Sequence, residues 1–310
     1  MSGLVAAAQL QSQGAIVKVL DKGRGIGGRL ATRRINVPNY GEGVFDYGVQ
    51  YITAKSETFQ AWLEEWRQLE LVKQWNCDAK TEADLKQPKY RGVKGIRDVA
   101  KSIASDLDVQ TGTKVVSLQK HQDSWRVLDQ EGNQYESDSV ILTAPLPQSL
   151  ELLNASQIPI SDVARERLNA VSYRMCLAVL LMLSDPISIA HSGGFQVNGK
   201  ELDWMVCNYQ KGISPRGYAV TLQGSHQFSE QYSPKHLRDV ATQALISAAR
   251  GYLGKVRVID HQAHFWRYST PIERFPEPFF CVENSLYLAG DGFASGEESL
   301  SSLEGAFLSG

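Results

Sequence analysis

No apolar run in this chain approaches the roughly 18–20 residues that a membrane-spanning helix needs. The longest, Cys176 to Leu183, has the length of a strand. A membrane partner is therefore not expected. The first residues carry no basic stretch ahead of their apolar positions, which argues against a secretory leader. Cysteine is scarce and scattered: Cys77, Cys176, Cys207 and Cys281 show no CxxC spacing. Reduced structural thiols in a cytoplasmic protein are expected, rather than disulfides or a metal centre. Neither sign of charge dominates. The net charge is −2, and the clustered basic excess of a nucleic-acid binder is missing. There is no internal repeat, no low-complexity tract and no Ser-His-acid constellation. His261 and His264 are the histidines closest in sequence. On a strand they would face opposite sides, so no shared metal is expected. A length of 310 residues is enough for about two domains.

What the chain does have is glycine in one place. Gly23, Gly25, Gly27 and Gly28 are interleaved with Arg24 and Arg29, and Arg33 and Arg34 follow. Glycines at this density let backbone lie against a ligand, and arginines suit phosphates. The flanks fit a dinucleotide-binding unit. Ser2 to Gln13 reads as a helix with Gly14 as its stop. Ala15 to Leu20 reads as a buried parallel strand. Asp21 then stands where an acid would hold the adenosine ribose. Gly3 fits the third glycine of G-x-G-x-x-G, where a missing side chain lets helix and strand pack closely. Gly3 and Asp21 taken alone also suit an ordinary helix residue and turn residue.

Asp21-Lys22-Gly23-Arg24-Gly25-Ile26-Gly27-Gly28-Arg29-Leu30-Ala31-Thr32-Arg33-Arg34 resembles the FAD-dependent amine oxidase superfamily, and within it the renalase-like bacterial and cyanobacterial branch. Phe45 to Thr53 resembles the next block of that family. Leu286 to Gly292 and Glu304 to Gly310 resemble its C-terminal flavin block. The resemblance implies non-covalent FAD, since no Cys or His stands in a recognised flavin-attachment motif. It implies cofactor contacts from Gly3, Asp21, Lys22, Arg24, Gly27, Gly28, Arg29, Gln50, Val115, Gly290, Asp291, Glu304 and Ala306. Against this superfamily pattern, the first strand and first two glycines are missing ahead of Met1, and the chain stops inside the last helix. A truncated chain is the expectation from those two ends.

The expected fold class is α/β. A Rossmann-like FAD-binding domain, a parallel sheet plus β-meander, is expected from 1–53, 90–145 and 284–310. An α+β substrate domain is expected from 54–89 and 146–283. Ser124 to Asp129 alternates, Glu131 to Asn133 turns and Gln134 to Ser137 returns, as a hairpin does. Ser139 to Thr143 reads as a buried strand. Phe59 to Leu71 reads as an amphipathic helix whose aromatics are core. Lys80 to Lys89 reads as a loop. Long strands are expected over Met175 to Leu183, Leu202 to Asn208, Tyr218 to Gln223 and Val256 to Tyr268, with a helix over Lys235 to Leu253. Gly290-Asp291-Gly292 closes the strand Leu286 to Ala289, at a carboxyl end where open α/β sheets bind ligands.

Flavin carries the redox chemistry, so few catalytic side chains are needed. The candidate active-site wall is Trp266 with Tyr268, at the end of a long strand. Tyr51 is the third candidate beside Gln50, and strand packing is the alternative for all of them. Lys211 and Arg216 read as charges on a solvated loop. The function expected is oxidation of a small substrate, an amine or an isomeric dihydronicotinamide dinucleotide, with oxygen as acceptor and peroxide as product. The alternatives are a desaturase or isomerase on an apolar substrate, and a cofactor-free binding module.

Overall fold

A computed structural model describes residues 1–78, 87–294 and 301–310. The chain forms two compact units. The first comprises Met1–Gly28, Ala100–Tyr173 and Thr270–Gly310; the second comprises Arg29–Val99 and Arg174–Ser269.

In the first unit, the helix Ser2–Ser12 buries Leu4 to Ala7 and ends before Gly14, whose φ of +91° turns the chain. The strand Lys18–Asp21 follows and pairs in parallel with Asp108–Thr111. Val140–Leu142 pairs in parallel with Leu286–Leu288, which also pairs antiparallel with Phe280–Glu283. The strand expected from Ala15 begins only at Lys18, and Ile16 ahead of it is fully exposed. Val140–Leu142 is less buried than its apolar sequence predicts, with Ile141 exposed. Lys18–Asp21 and Val140–Leu142 each have one strand neighbour in the described sheets.

The β-meander is present as Val115–His121, Ser124–Asp129 and Gln134–Ser137. Asp129 fixes its second turn by accepting from the N–H groups of Glu131 and Asn133, both at 2.9 Å. Gly132 supplies the left-handed φ of +85° there.

The second unit is built on a five-stranded sheet. Its order is Gly194–Gln196, Leu202–Cys207, Tyr218–Gly224, Ser172–Leu183 and Val258–Glu273. The apolar run Cys176 to Leu183 follows from having both faces covered, which removes the need for polar alternation. Leu177, Val179, Leu181 and Leu183 face a helix, Arg238–Ala248, through Ala241, Leu245 and Ile246. Ala178, Leu180 and Met182 face the opposite way, against Ala31, Ile35, Phe45 and Tyr47. Those four belong to, or flank, the hairpin Thr32–Val37 and Gly41–Asp46. Full burial of each leucine contributes about 1.5–3 kcal/mol. This packing holds residues 29–53 in the second unit, whereas the sequence groups them with the nucleotide-binding stretch.

The helix Glu57–Gln68 is N-capped by Ser56, whose side chain accepts from Phe59 N. It buries Phe59, Leu63 and Trp66, so these aromatics are core as expected. Most of the loop expected over Lys80 to Lys89 lies outside the described residues.

Candidate functional site

In the first unit, two of the predicted cofactor residues converge on one residue, Thr143. A Cβ on Gly3 would sit 2.6 Å from Thr143 Oγ1, too close for any real side chain. A Cβ on Gly290 would lie 3.5 Å from the Thr143 carbonyl oxygen, and Gly290 holds a φ of +132° that glycine alone adopts easily. Thr143 follows directly on the strand Val140–Leu142, at its carboxyl end. Beside this junction, Ser2 opens the first helix. Its hydroxyl is buried and has no hydrogen-bond partner. The helix Ser302–Ser309 returns to the same place, because its end at Gly310 abuts the Ser2 carbonyl. Ser309 Oγ accepts from Gly290 N at 2.8 Å and donates to Pro278 O at 2.7 Å. Glu304 and Ala306 are buried on that helix.

Asp21 ends its strand half-buried, with Oδ1 accepting from Gly23 N at 2.7 Å. That bond folds the chain back at the glycine-rich segment. Lys22 Nζ donates to Gln148 Oε1 at 2.6 Å. Gly27 and Gly28 have φ of +115° and +56°, and the space a Gly28 side chain would take is open. Asp291 is buried, its carbonyl accepting from Arg274 Nε at 3.2 Å and its Oδ1 3.5 Å from the Tyr173 hydroxyl. Arg24 is exposed, and Val115 is half-buried where the meander opens, paired with Asp129. No contact among the described residues ties these two to Thr143.

In the second unit, Arg29, Gln50, Tyr51, Trp266 and Tyr268 are knit together by the turn after Asp46. Arg29 Nη1 donates to the carbonyls of Tyr268 (3.3 Å) and Ser269 (3.1 Å). Arg29 O accepts from Val49 N at 3.0 Å, and Gly48 packs so tightly on Arg29 that no Cβ fits. Trp266 Nε1 donates to Tyr47 O at 2.8 Å, and its ring stacks on Tyr47 with centroids 5.4 Å apart. His264 lies edge-on to Trp266 at 4.2 Å. Burial, then the charges of Arg33 and Arg238, pushes the His264 imidazole down to about 4. Gln50 Nε2 donates to the carbonyls of Asp46 (2.9 Å) and Gly48 (3.2 Å), leaving the buried Oε1 without a partner. The Tyr51 ring lies 6.1 Å from that of Trp204.

Lys211 corrects the sequence reading. It is a fully buried residue ending the short helix Asn208–Lys211, not a charge on a solvated loop. Its Nζ donates to Asp46 Oδ2 at 2.9 Å and to Gln50 O at 2.8 Å, and lies 4.8 Å from the centroid of Trp75. Asp46 Oδ1 accepts from Thr32 Oγ1 (2.6 Å) and Ile96 N (2.9 Å). Burial drives the Lys211 ammonium below its ordinary pKa, and Asp46 opposes that shift. Arg216 is exposed, as read. A signal for Asp46 was present, a single charge directly after the apolar Val44 to Phe45, whereas Asn208, Tyr209 and Gln210 separate Lys211 from the apolar Trp204 to Cys207. Charges set in buried stretches are paired.

Residues 65–310 match the family described as flavin containing amine oxidoreductase. The chain belongs to that family. Residues 1–68 match an NAD(P)-binding Rossmann-like domain. The chain is similar to mouse renalase, 26% identical over 294 residues, covering 88% of this chain and 84% of renalase. Among solved structures it resembles putrescine oxidase bound to putrescine, with a TM-score of 0.70 and 13% identity over 99% of this chain and 94% of the oxidase. It also resembles a fatty acid isomerase from P. acnes, with a TM-score of 0.61 and 11% identity over 87% and 84%. At these identities the two structures establish the fold alone, which is that of the flavin amine oxidases. The protein is a renalase-like, flavin-dependent oxidoreductase, and its cofactor is FAD. Among the described residues, no helix is long and apolar enough to cross a membrane.

Proposed function

We propose that this protein holds FAD non-covalently and oxidises a small amine or an isomeric dihydronicotinamide dinucleotide. Bound FAD would supply the redox chemistry, accepting a hydride from the substrate, with oxygen as the final acceptor and peroxide as the product. The observation that carries the reading is the Thr143 junction. Gly3 packs against the Thr143 side chain where a Cβ would clash, Gly290 meets the Thr143 carbonyl at contact distance, and the buried Ser2 hydroxyl has no protein partner. A helix N-terminus packed closely on the carboxyl end of a parallel strand through a glycine suits a pyrophosphate. The residues present therefore fit the cofactor.

On this reading the helix Ser2–Ser12 and Gly3 bind the pyrophosphate, and Asp21 binds the adenosine ribose. Lys22, Arg24, Gly27, Gly28, Val115, Gly290, Asp291, Glu304 and Ala306 complete the cofactor contacts. Arg29 and Gln50 orient the flavin edge. Trp266, Tyr268 and Tyr51 form the substrate wall, where flat apolar rings exclude water and stack on a planar substrate. No general base is required of them, because the cofactor carries the hard chemistry.

The test is purification followed by spectroscopy and oxygen uptake. Visible flavin absorbance that filters away after unfolding supports non-covalent FAD. Oxygen consumption with stoichiometric peroxide, on dihydronicotinamide isomers or on amines, supports the oxidase reading and names the substrate. Flavin-containing protein that consumes no oxygen with any of them refutes it.

A further inference from the structure

Val72–Gln74 and Tyr90–Gly92 form an antiparallel pair in the second unit, with Lys73 opposite Arg91 and Gln74 opposite Tyr90. Trp75 N donates to Lys89 O at 2.8 Å, which extends the pairing by one position. Side chains alternate along a strand, and directly opposed residues share a face. Lys73, Trp75, Lys89 and Arg91 therefore share one face of the pair. Lys73 and Arg91 are like charges set directly opposite, an arrangement that destabilises a strand pair when nothing offsets it.

The same face continues onto buried Lys211. Its Nζ lies 4.8 Å from the Trp75 ring, and Arg91 Nη2 lies 3.0 Å from where a Gly212 Cβ would be. Among the described residues, the neighbouring acids Asp46 and Asp78 are already engaged. Asp46 holds Lys211, Thr32 and Ile96, and Asp78 Oδ2 accepts from Gln196 N. Among the described residues, neither Lys89 nor Arg91 has an ion-pair partner. Lys89 is only 9% exposed. Arg91 is half-buried, and among the described residues its side chain makes one hydrogen bond, from Nη1 to Gly92 O at 2.9 Å. An anion placed beside two cations that have no ion pair of their own among the described residues is attracted by both.

We propose that this face is an oxyanion subsite, in which the Arg91 fork and the Lys89 ammonium take a phosphate or carboxylate group of the substrate. The guanidinium fork matches either group in two-point fashion, and the number of cations on the face favours phosphate. The proposal deepens the oxidoreductase reading, and rests on it only in calling the anion part of a substrate.

Calorimetric titration of the purified FAD-loaded protein with inorganic phosphate and with acetate tests it. Phosphate is expected to bind the wild type, and acetate about tenfold more weakly, a gap of about 1.4 kcal/mol. Arg91→Gln and Lys89→Met are each expected to weaken phosphate tenfold or more, with flavin absorbance and melting temperature held. Arg91→Lys, which keeps the charge and loses the fork, is expected to fall between. Tighter binding of acetate supports the subsite and assigns it to a carboxylate. Absence of phosphate and acetate binding, or equal binding in wild type, Arg91→Gln and Lys89→Met, overturns it. If Arg91→Gln fails to fold, Lys89→Met and Arg91→Lys decide. Lack of flavin in the wild type would instead count against the oxidoreductase reading, and the phosphate titration remains readable.

Discussion

Lys211 Nζ lies 2.9 Å from Asp46 Oδ2, and neither side chain is exposed to solvent. A buried pair gains little over a well-packed apolar pair, but removing one partner strands the other. Asp46→Asn is therefore expected to destabilise the protein by about 3–5 kcal/mol, and Lys211→Met by a similar amount. Asp46→Asn combined with Lys211→Met should cost clearly less than the sum of the single changes. Denaturant unfolding of the four proteins measures the coupling. Additive losses would mean that the pair carries no interaction of its own.

The contact of Gly3 with Thr143 gives a prediction that can be rescued. Gly3→Ala places a Cβ 2.6 Å from Thr143 Oγ1, an overpacking expected to cost about 1–3 kcal/mol. Thr143→Ala removes the offending oxygen. The double variant should recover most of the stability lost in Gly3→Ala, and with it the affinity for FAD. Fluorescence titration of FAD against both variants checks this. A double variant no better than Gly3→Ala places the damage elsewhere.

Elements that declare themselves by local pattern were legible in the chain. The hairpin Ser124 to Ser137 announces its turn through Glu131-Gly132-Asn133, and the run Cys176 to Leu183 announces two covered faces. Partnerships between distant segments were not. Lys211 and Asp46 are 165 positions apart, and no periodicity links them. The same holds for Thr143, which no motif singled out, although it receives Gly3 from one side and Gly290 from the other. Long-range pairing is fixed by sheet register, which a single chain's local sequence does not encode. The exposure of Ile141 has the same origin, since an apolar run signals a strand without saying how many neighbours cover it.

His264 gives a pH dependence of definite sign. Its folded pKa is about 4 against an ordinary 6.5, so the folded state holds the neutral ring more strongly than the unfolded chain does. Its contribution to stability is whole above pH 6.5. It declines as pH falls through the window from 6.5 to about 4, and is fully lost below that. His264→Phe, which keeps an aromatic ring against Trp266 and Tyr47, should flatten the melting temperature across that window. An unchanged slope in the variant would assign the acid sensitivity to other groups.

Trp266 separates packing from function. Its Nε1 donates to Tyr47 O and its ring stacks on Tyr47. Trp266→Phe keeps much of the stack and loses the hydrogen bond, an expected cost of about 1–1.5 kcal/mol. Trp266→Ala loses both and is expected to cost about 3–5 kcal/mol. If Trp266 is part of the substrate wall, Trp266→Phe lowers kcat/KM for substrate oxidation about tenfold or more while flavin content stays at the wild-type level. If the residue serves only to pack the strand Val258–Glu273 against the turn after Asp46, kcat/KM follows the folded fraction and nothing else. Steady-state oxygen uptake, measured beside flavin absorbance at a temperature well below melting, tells these apart.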